Sequence, residues 1–447
     1  MEYTPWTLLV DAGLIGLLLV VGALLRATIK PLQTMLIPSS VIAGVLGLVL
    51  GPNVLGVLPF SDQLGTYGGI LIIAVFACLA LTDEFNIFKV GRSIAGFASY
   101  GMLMYALQVA LGMALVLAVL GPLLGTPDST GLLLFAGWAG GFGTAAAVGQ
   151  VFTEAGDSAV NSLAYTSATV GLLVGIVGGI IQAKIGAKRG WVQEYKGYSK
   201  LPKDMQTGVL DTQTERPRVG THTFSGGSIE TLAFQVGFIA AICAGAYGIN
   251  VLLQMAFPEI SFPLFSIAFV IGLLIRPLLT ATKAMRLVDK ESLRSISGTA
   301  TDLLVVCGIA SIVPGVVADQ WLSLLILFLF GLAFCLFLGL VIAPRVMQQG
   351  WFERQLFTWG WSTGAVPTGI ALLRIVDPRL RTRTLEDFAL AFIPVVPIEI
   401  TAVTFAPFLV LAGASWAVVG IWGAVAVFAA LIAVYLYATR NRAAQSG

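Results

Sequence analysis

The chain has 447 residues, of which 57% are hydrophobic and 11% charged, with a mean hydropathy of +0.92 and a net charge of +2. Soluble domains carry roughly a quarter charged residues, so this composition excludes an ordinary soluble fold. The net charge is too small to point to a nucleic-acid partner.

Several apolar runs exceed the roughly 20 residues that cross the hydrocarbon as a helix. Spans are predicted at 6–26, 35–58, 67–83, 94–120, 159–183, 229–255, 262–280, 297–317, 321–344, 388–412 and 415–438. The opening MEYTPWT has an acid and no base, unlike the positive start of a secretory signal, so 6–26 is kept as a true first span. Two shorter, polar-interrupted segments remain, at about 131–153 and 357–376. Trp6, Trp321 and Trp416 stand at span ends as interface anchors.

Charges sort along this order. Arg26, Lys30, Lys89, Arg92, Lys184, Lys188 and Arg189 fall on one side, and Glu2, Asp62, Asp128, Glu154 and Asp157 on the other. The second half continues the pattern, with Arg276, Lys283, Arg286, Lys290, Arg294, Arg345, Arg354, Arg379, Arg381 and Arg383 inside, Glu259 and Asp319 outside, and Arg440 and Arg442 closing the last span inside. Basic short loops stay cytoplasmic, which places the N-terminus outside and the C-terminus in the cytoplasm of a multi-pass plasma (inner) membrane protein. The alternation holds only if 131–153 and 357–376 each enter and leave by one face, the first from outside and the second from inside.

Each half then has four spans, one dipping segment and one span, an odd number of crossings that makes the halves an inverted-topology repeat. "IPSSVIAGVLGLVLGP" (37–52) resembles "FPLFSIAFVIGLLIRP" (262–277), and "GWAGGFGT" (137–144) resembles "GWSTGAVPT" (360–368). The expected fold class is therefore an all-α membrane protein. Its first repeat covers 1–185, a cytoplasmic linker 186–228, its second repeat 229–412, and an extra C-terminal helix and tail 413–447.

The dipping segments carry the chemistry. A turn inside the bilayer leaves backbone groups without water, which is tolerated only where they are buried in protein or line a cavity. Glycine permits the turn and the close approach of a ligand, and the freed N–H groups at the start of a second limb favour an anion. Freed carbonyls suit Na+. Gly-rich helices are also simple packing interfaces, and "GWAGGFGTAAAVGQVF" (137–152) alone admits both readings.

"GGFGTAAAVGQVF" (140–152) and "TGAVPTGIALLRI" (363–375) resemble the two hairpin signatures of the glutamate:sodium symporter family, and "IPSSVIAGVLGLVLG", "ALQVALGMAL" (106–115), "IETLAF" (229–234) and "IPVVPIEITAV" (393–403) are similar to further parts of it. The resemblance implies five spans plus one re-entrant hairpin per repeat, sodium-coupled uptake of L-glutamate, and a homodimer whose transport domain moves against a scaffold. The chain departs from the family at Phe142, where His is usual, at Leu372, Leu373 and Arg374 late in the second hairpin, and in its last span. These departures bear on the substrate rather than the architecture.

Candidate substrate-binding residues are Gly140, Gly141, Gly143, Thr144, Gly364, Pro367, Thr368 and Arg374; candidate ion ligands are Asp302, Glu399, Thr144 and Thr368. Asp302 and Glu399 are charges inside spans, which marks them for function, against a hydrated interfacial or structural role. Arg374 either clamps a substrate carboxylate or snorkels to the interface. Asp83 and Glu84 read as an interfacial pair, Asp11 as interfacial, and Gln108 as an interhelical hydrogen-bonding residue.

Cys78, Cys243, Cys307 and Cys335 sit inside apolar runs and read as core residues, and the single His222 lies in a polar loop, so no metal centre is expected beyond Na+. No nucleotide loop and no nucleophilic triad is present, which excludes an enzyme and ATP-driven transport by this chain alone. The expected function is secondary active transport by alternating access, elevator-like, with no cofactor and Na+ as the coupling ion. The alternatives are H+ coupling, a di- or tricarboxylate cargo, a passive channel, or a sensor signalling through the 186–226 loop.

Overall fold

The computed structural model describes residues 4–82, 92–192, 203–210, 218–256, 263–347, 350–377 and 381–445. Asp83, Glu84, Lys89, Glu259 and Arg379 lie outside the described residues. The regular structure among the described residues is helical throughout. Among the described residues nine helices are long and apolar enough to cross a membrane: Pro5–Thr28, Leu64–Thr82, Ile94–Leu124, Ala159–Lys188, Thr231–Ala256, Leu264–Ala281, Lys290–Ala310, Trp321–Val346 and Ser415–Ala438. They match nine of the predicted spans. Leu17, Leu24, Leu274, Leu278 and Val434 are exposed on their outer faces, as lipid-facing residues must be.

Two predicted spans are not continuous helices. The run 35–58 holds a helix only over Ser39–Leu50, capped by Pro38 and ended by Gly51. At 1.5 Å per residue that helix is about 18 Å long, short of the roughly 30 Å of hydrocarbon. The run 388–412 is divided by a turn at 392–394 into Thr384–Ala391 and Val395–Leu411. Pro38 accounts for the break before the first of these helices and Pro394 for the turn in the second run, because each lacks the N–H that an upstream carbonyl would need.

The two halves share a further irregularity. The chain widens into π turns at Val116–Leu120 and at Leu338–Ile342, and each is followed by a short helical turn carrying a proline, Pro122 or Pro344. A proline in mid-helix collides with the carbonyl four residues back, and a wider turn just before it removes the collision.

Ala159–Lys188 is the central post. Gly171, Gly175, Gly178, Gly179 and Gly186 let the Phe352–Leu372 region press directly against it. Tyr165 of the same helix lies so close to Gly68 and Gly308 that side chains there would overlap its ring or hydroxyl. The extra C-terminal helix packs along Arg92–Leu115 through Trp422, Ala426 and Ala429. Asp11 is fully buried within the protein, and accepts hydrogen bonds from the Ser61 N–H (3.1 Å), the Ser61 hydroxyl and the Tyr67 hydroxyl (2.8 Å). Three donors offset the cost of burying that carboxylate.

Candidate functional site

The two glycine-containing segments both reverse direction, and the central post records where. On the first, the Ser167 hydroxyl donates to the Leu133 carbonyl (2.7 Å), and Trp138 packs on Gly171. Beyond Gly140 and Gly141, however, Gly149 packs on Asn161. The contacts climb the post and then descend it, so the chain has turned. Gly141 makes the turn, at φ +64°, with helix Gly141–Glu154 as the second limb. A left-handed residue of this kind favours glycine.

The second segment approaches from the other end. Phe352 packs at Gly186, the Trp359 indole N–H donates to the Gly175 carbonyl (3.0 Å), and Thr363 packs at Gly171; after the turn, Leu372 packs at Gly179. The limbs are Trp351–Thr363 and Val366–Val376, joined by Gly364 (φ −146°, ψ −86°) and an extended Ala365. Gly360 and Gly369 allow the two limbs to touch backbone to side, since a Cβ on Gly360 would lie 2.7 Å from the Gly369 Cα. Both elbows therefore stand at Gly171, near the middle of Ala159–Lys188.

A cavity of about 550 Å³ opens between them, within the roughly 300–1,000 Å³ range of small-molecule sites. Gly140, Gly141, Gly143, Gly364, Pro367, Thr368, Asp302 and Glu399 all line it. Two predicted residues do not. Thr144 is buried behind the first elbow, where a Cβ on Gly140 would fall 2.2 Å from the Thr144 Cβ. Arg374 lies further along the second limb, outside the lining, with a buried Nε that has no hydrogen-bond acceptor among the described residues.

The first turn of each second limb faces the cavity. Along Val366–Val376 the first backbone bond runs from the Gly369 N–H to the Ala365 carbonyl (3.1 Å). The Val366 and Thr368 amides precede it, and a helix start leaves such donors without an intrahelical acceptor. At the other elbow helix Gly141–Glu154 begins, and Gly140, Gly141, Phe142 and Gly143 line the cavity. The cavity thus combines amide donors at two helix N-termini, which favour an anion, with the carboxylates of Asp302 and Glu399, oxygen ligands for a hard cation. No cluster of three His, Cys, Asp or Glu able to hold a metal occurs among the described residues.

Some lining residues were not marked by the sequence. Arg26 and Met205 line the cavity together, and the Arg26 guanidinium donates to the Met205 carbonyl (3.2 Å). Met205 belongs to the short helix Lys203–Thr207 of the segment read as a plain linker. Pro38, Ser40 and Val41, at the start of the shortened helix, also reach it, as do the aromatic side chains of Phe142, Trp361 and Phe392. The proline that interrupts the 35–58 run was the available signal for the first group. Arg26 carried only the signature of a cytoplasmic basic residue.

Fold and site together define a multi-pass helical membrane protein with a solute-sized, mostly apolar cavity that carries a few polar groups, the class to which membrane carriers belong. The chain belongs to the sodium/glutamate symporter family, whose profile matches residues 7–382. That is a family of transporters rather than enzymes, and membership implies a secondary transporter with Na+ as coupling ion and glutamate as cargo. No curated protein and no solved structure gives a significant match.

Proposed function

We propose that the protein takes up L-glutamate or a similar small carboxylate, driven by Na+, through alternating access at the paired elbows. The observation that carries this is the meeting of both turns at Gly171, with Asp302 and Glu399 in the same cavity wall. A carboxylate binds to the first-turn amides of the two second limbs and the Thr368 hydroxyl. Na+ binds among the carboxylates and the freed carbonyls. With both bound, charge and bare peptide groups are covered, and the mobile part crosses the bilayer at lower cost. With neither bound, exposed polar elbows oppose the crossing.

In this reading the elbows are the tips of re-entrant hairpins in an inverted repeat, the N-terminus lies outside, and the C-terminus is cytoplasmic. The matched π turns before Pro122 and Pro344 support the repeat, because they put the same uncommon irregularity at corresponding places in the two halves. The descent of Trp351–Thr363 from the Lys188 end of the post, against the approach of 133–139 from the Asp157 end, supports entry from opposite faces. Elevator-like motion in a homodimer follows the family resemblance.

Uptake into proteoliposomes tests the reading. An inward Na+ gradient should drive glutamate accumulation above its equilibrium level. Equilibration without accumulation would mark a passive pore, and accumulation driven by a pH step but not by Na+ would replace the coupling ion with H+.

A further inference from the structure

Gln108 sits in the middle of Ile94–Leu124 and is fully buried. Its Oε1 accepts a hydrogen bond from the Ala139 N–H at 3.2 Å, and its Nε2 donates to the Ser362 carbonyl at 2.7 Å. Ala139 ends the first limb of one elbow, and Ser362 lies in the last turn of the first limb of the other. The three residues are far apart in sequence, yet one amide holds both turns.

The ends of these limbs are where backbone groups lose their helical partners. The last carbonyls of Trp351–Thr363 have no donor further along the helix, and Gln108 supplies one to Ser362. An amide side chain is suited to the task because it carries an acceptor and a donor at fixed separation. Glutamate in its ionised form would lack the donor, lysine the acceptor, and leucine or methionine both.

We propose that Gln108 is a positioning residue that locks the two elbows into one unit, so that a ligand seated on either is felt by the other. The inference rests on the elbows being the transport site, and it goes further by assigning their coupling to one side chain. Gln108 does not line the cavity and touches no cargo. It acts through the Ala139 amide and the Ser362 carbonyl. Because those groups are rigidly joined to Gly140 and Gly364, a shift at one elbow is transmitted as strain or relief at the other.

Hydrogen exchange on the purified full chain in lipid nanodiscs tests the lock without needing transport. Gln108→Met keeps the side-chain volume and removes both hydrogen-bonding groups. Exchange in 137–144 and 360–368 should rise together, by about tenfold, with the Thr231–Ala256 helix unchanged. A rise at one elbow only, or an equal rise in every span, overturns the proposal, the latter because it would indicate general destabilisation. Wild-type protein gives a second measurement that does not depend on the variant folding. Titrated with Na+ alone, both elbows should gain protection at a shared midpoint, and separate midpoints overturn the coupling.

Uptake then gives the functional arm. Raising Na+ should lower the wild-type KM for glutamate by on the order of 5–150-fold, the range of ordinary site-to-site coupling. In Gln108→Met that ratio should fall towards one. A retained ratio overturns the coupling role. If wild-type uptake shows no dependence on Na+, the sodium-coupled reading fails instead, while the paired exchange response still decides whether Gln108 joins the elbows.

Discussion

Gly141 and Gly364 meet across the cavity: a Cβ on Gly141 would lie 2.8 Å from the Gly364 carbonyl oxygen. Gly141 also has φ +64°. Two separate demands for glycine therefore coincide at one residue, and they can be pulled apart. Gly56 has the same φ of +64°, but a Cβ there would meet nothing within 4 Å.

Gly56→Ala should cost only the strain of a left-handed alanine, about 1–2 kcal/mol, read as a modest fall in Tm with the glutamate KM unchanged. Gly141→Ala should show that strain and also push the elbows apart. Its KM should rise at least about tenfold, equivalent to 1.4 kcal/mol of lost binding. Matching KM values for the two variants would separate the elbow contact from transport.

Thr144 and Thr368 occupy corresponding places in the sequence motifs but different environments. Thr368 lines the cavity, whereas Thr144 packs beneath Gly140. Thr368→Val should remove a hydrogen bond to a charged ligand, worth about 1.5–3 kcal/mol, and raise KM by roughly ten- to a hundredfold. Thr144→Val keeps the shape and should change KM by less than about threefold, well under 1 kcal/mol. Equilibrium binding of labelled glutamate checks both. Equal losses would mean that Thr144 turns into the cavity during the cycle.

Asp302→Asn and Glu399→Gln remove one negative charge each from the cavity wall. Each should raise the Na+ concentration for half-maximal uptake by about tenfold or more, since losing a single ion–carboxylate contact costs over 1 kcal/mol. Uptake assayed across a Na+ series reads this directly. An unchanged Na+ midpoint in both variants would remove the carboxylates from the ion site.

The breaks at the elbows have a local signal: "GWAGGFGT" and "GWSTGAVPT" concentrate glycine where a helix would otherwise continue. Long apolar runs likewise announced nine helices. Hydropathy averages over a window, however, and it runs a single span through Pro38 and another through Pro394, although the prolines of "PVVPIEI" mark a disturbed helix. It was equally blind to position around the helix axis. Thr144 and Gly143 are neighbours in the motif, but one faces the packed interior and the other the cavity. Arg26 and Met205 are joined across 179 positions, and no pattern of spacing encodes that contact.

Asp289 offers a pH test at the start of the Lys290–Ala310 helix. It caps the Lys290–Ala310 helix, accepting from the Ser292 N–H (2.9 Å) and hydroxyl (2.6 Å), and it also binds the Thr221 N–H and hydroxyl (2.8 Å each). Burial alone would raise its pKa, but the hydrogen bonds from Ser292 and Thr221 outweigh it and hold the carboxyl at about 2. The folded value lies below the unfolded one. The carboxylate's stabilisation is thus complete above the ordinary carboxylate range and is lost as pH falls through about 2. Asp289→Ala should lose a helix cap worth about 0.5–2 kcal/mol and release 218–224 to proteolysis at neutral pH. In the wild type that segment should stay protected down to pH 4. Release of the wild-type segment near pH 4 would show that the carboxyl is not depressed.

Sequence reads Arg374 as either a substrate clamp or an interfacial snorkel and Arg26 as a cytoplasmic basic residue, yet it is Arg26 that lines the cavity. Arg374 stands in the hairpin motif but outside the cavity, and Arg26 ends a helix remote in sequence yet lines the cavity beside Met205. A guanidinium in the wall attracts an anionic cargo, and a charge-assisted contact contributes about 1.5–3 kcal/mol. Arg26→Met should therefore raise the KM for glutamate by roughly ten- to a hundredfold. Arg374→Met should leave KM within about twofold, under 0.5 kcal/mol, and lower Tm through lost packing of a half-buried side chain. Arg26→Lys separates charge from geometry. Lysine keeps the charge but cannot present the planar fork, so a partial recovery of KM would assign Arg26 an electrostatic part, and no recovery a directed hydrogen bond. The opposite ranking, with Arg374→Met damaging KM and Arg26→Met sparing it, would mean that the cargo enters deeper along Val366–Val376 than the cavity reaches.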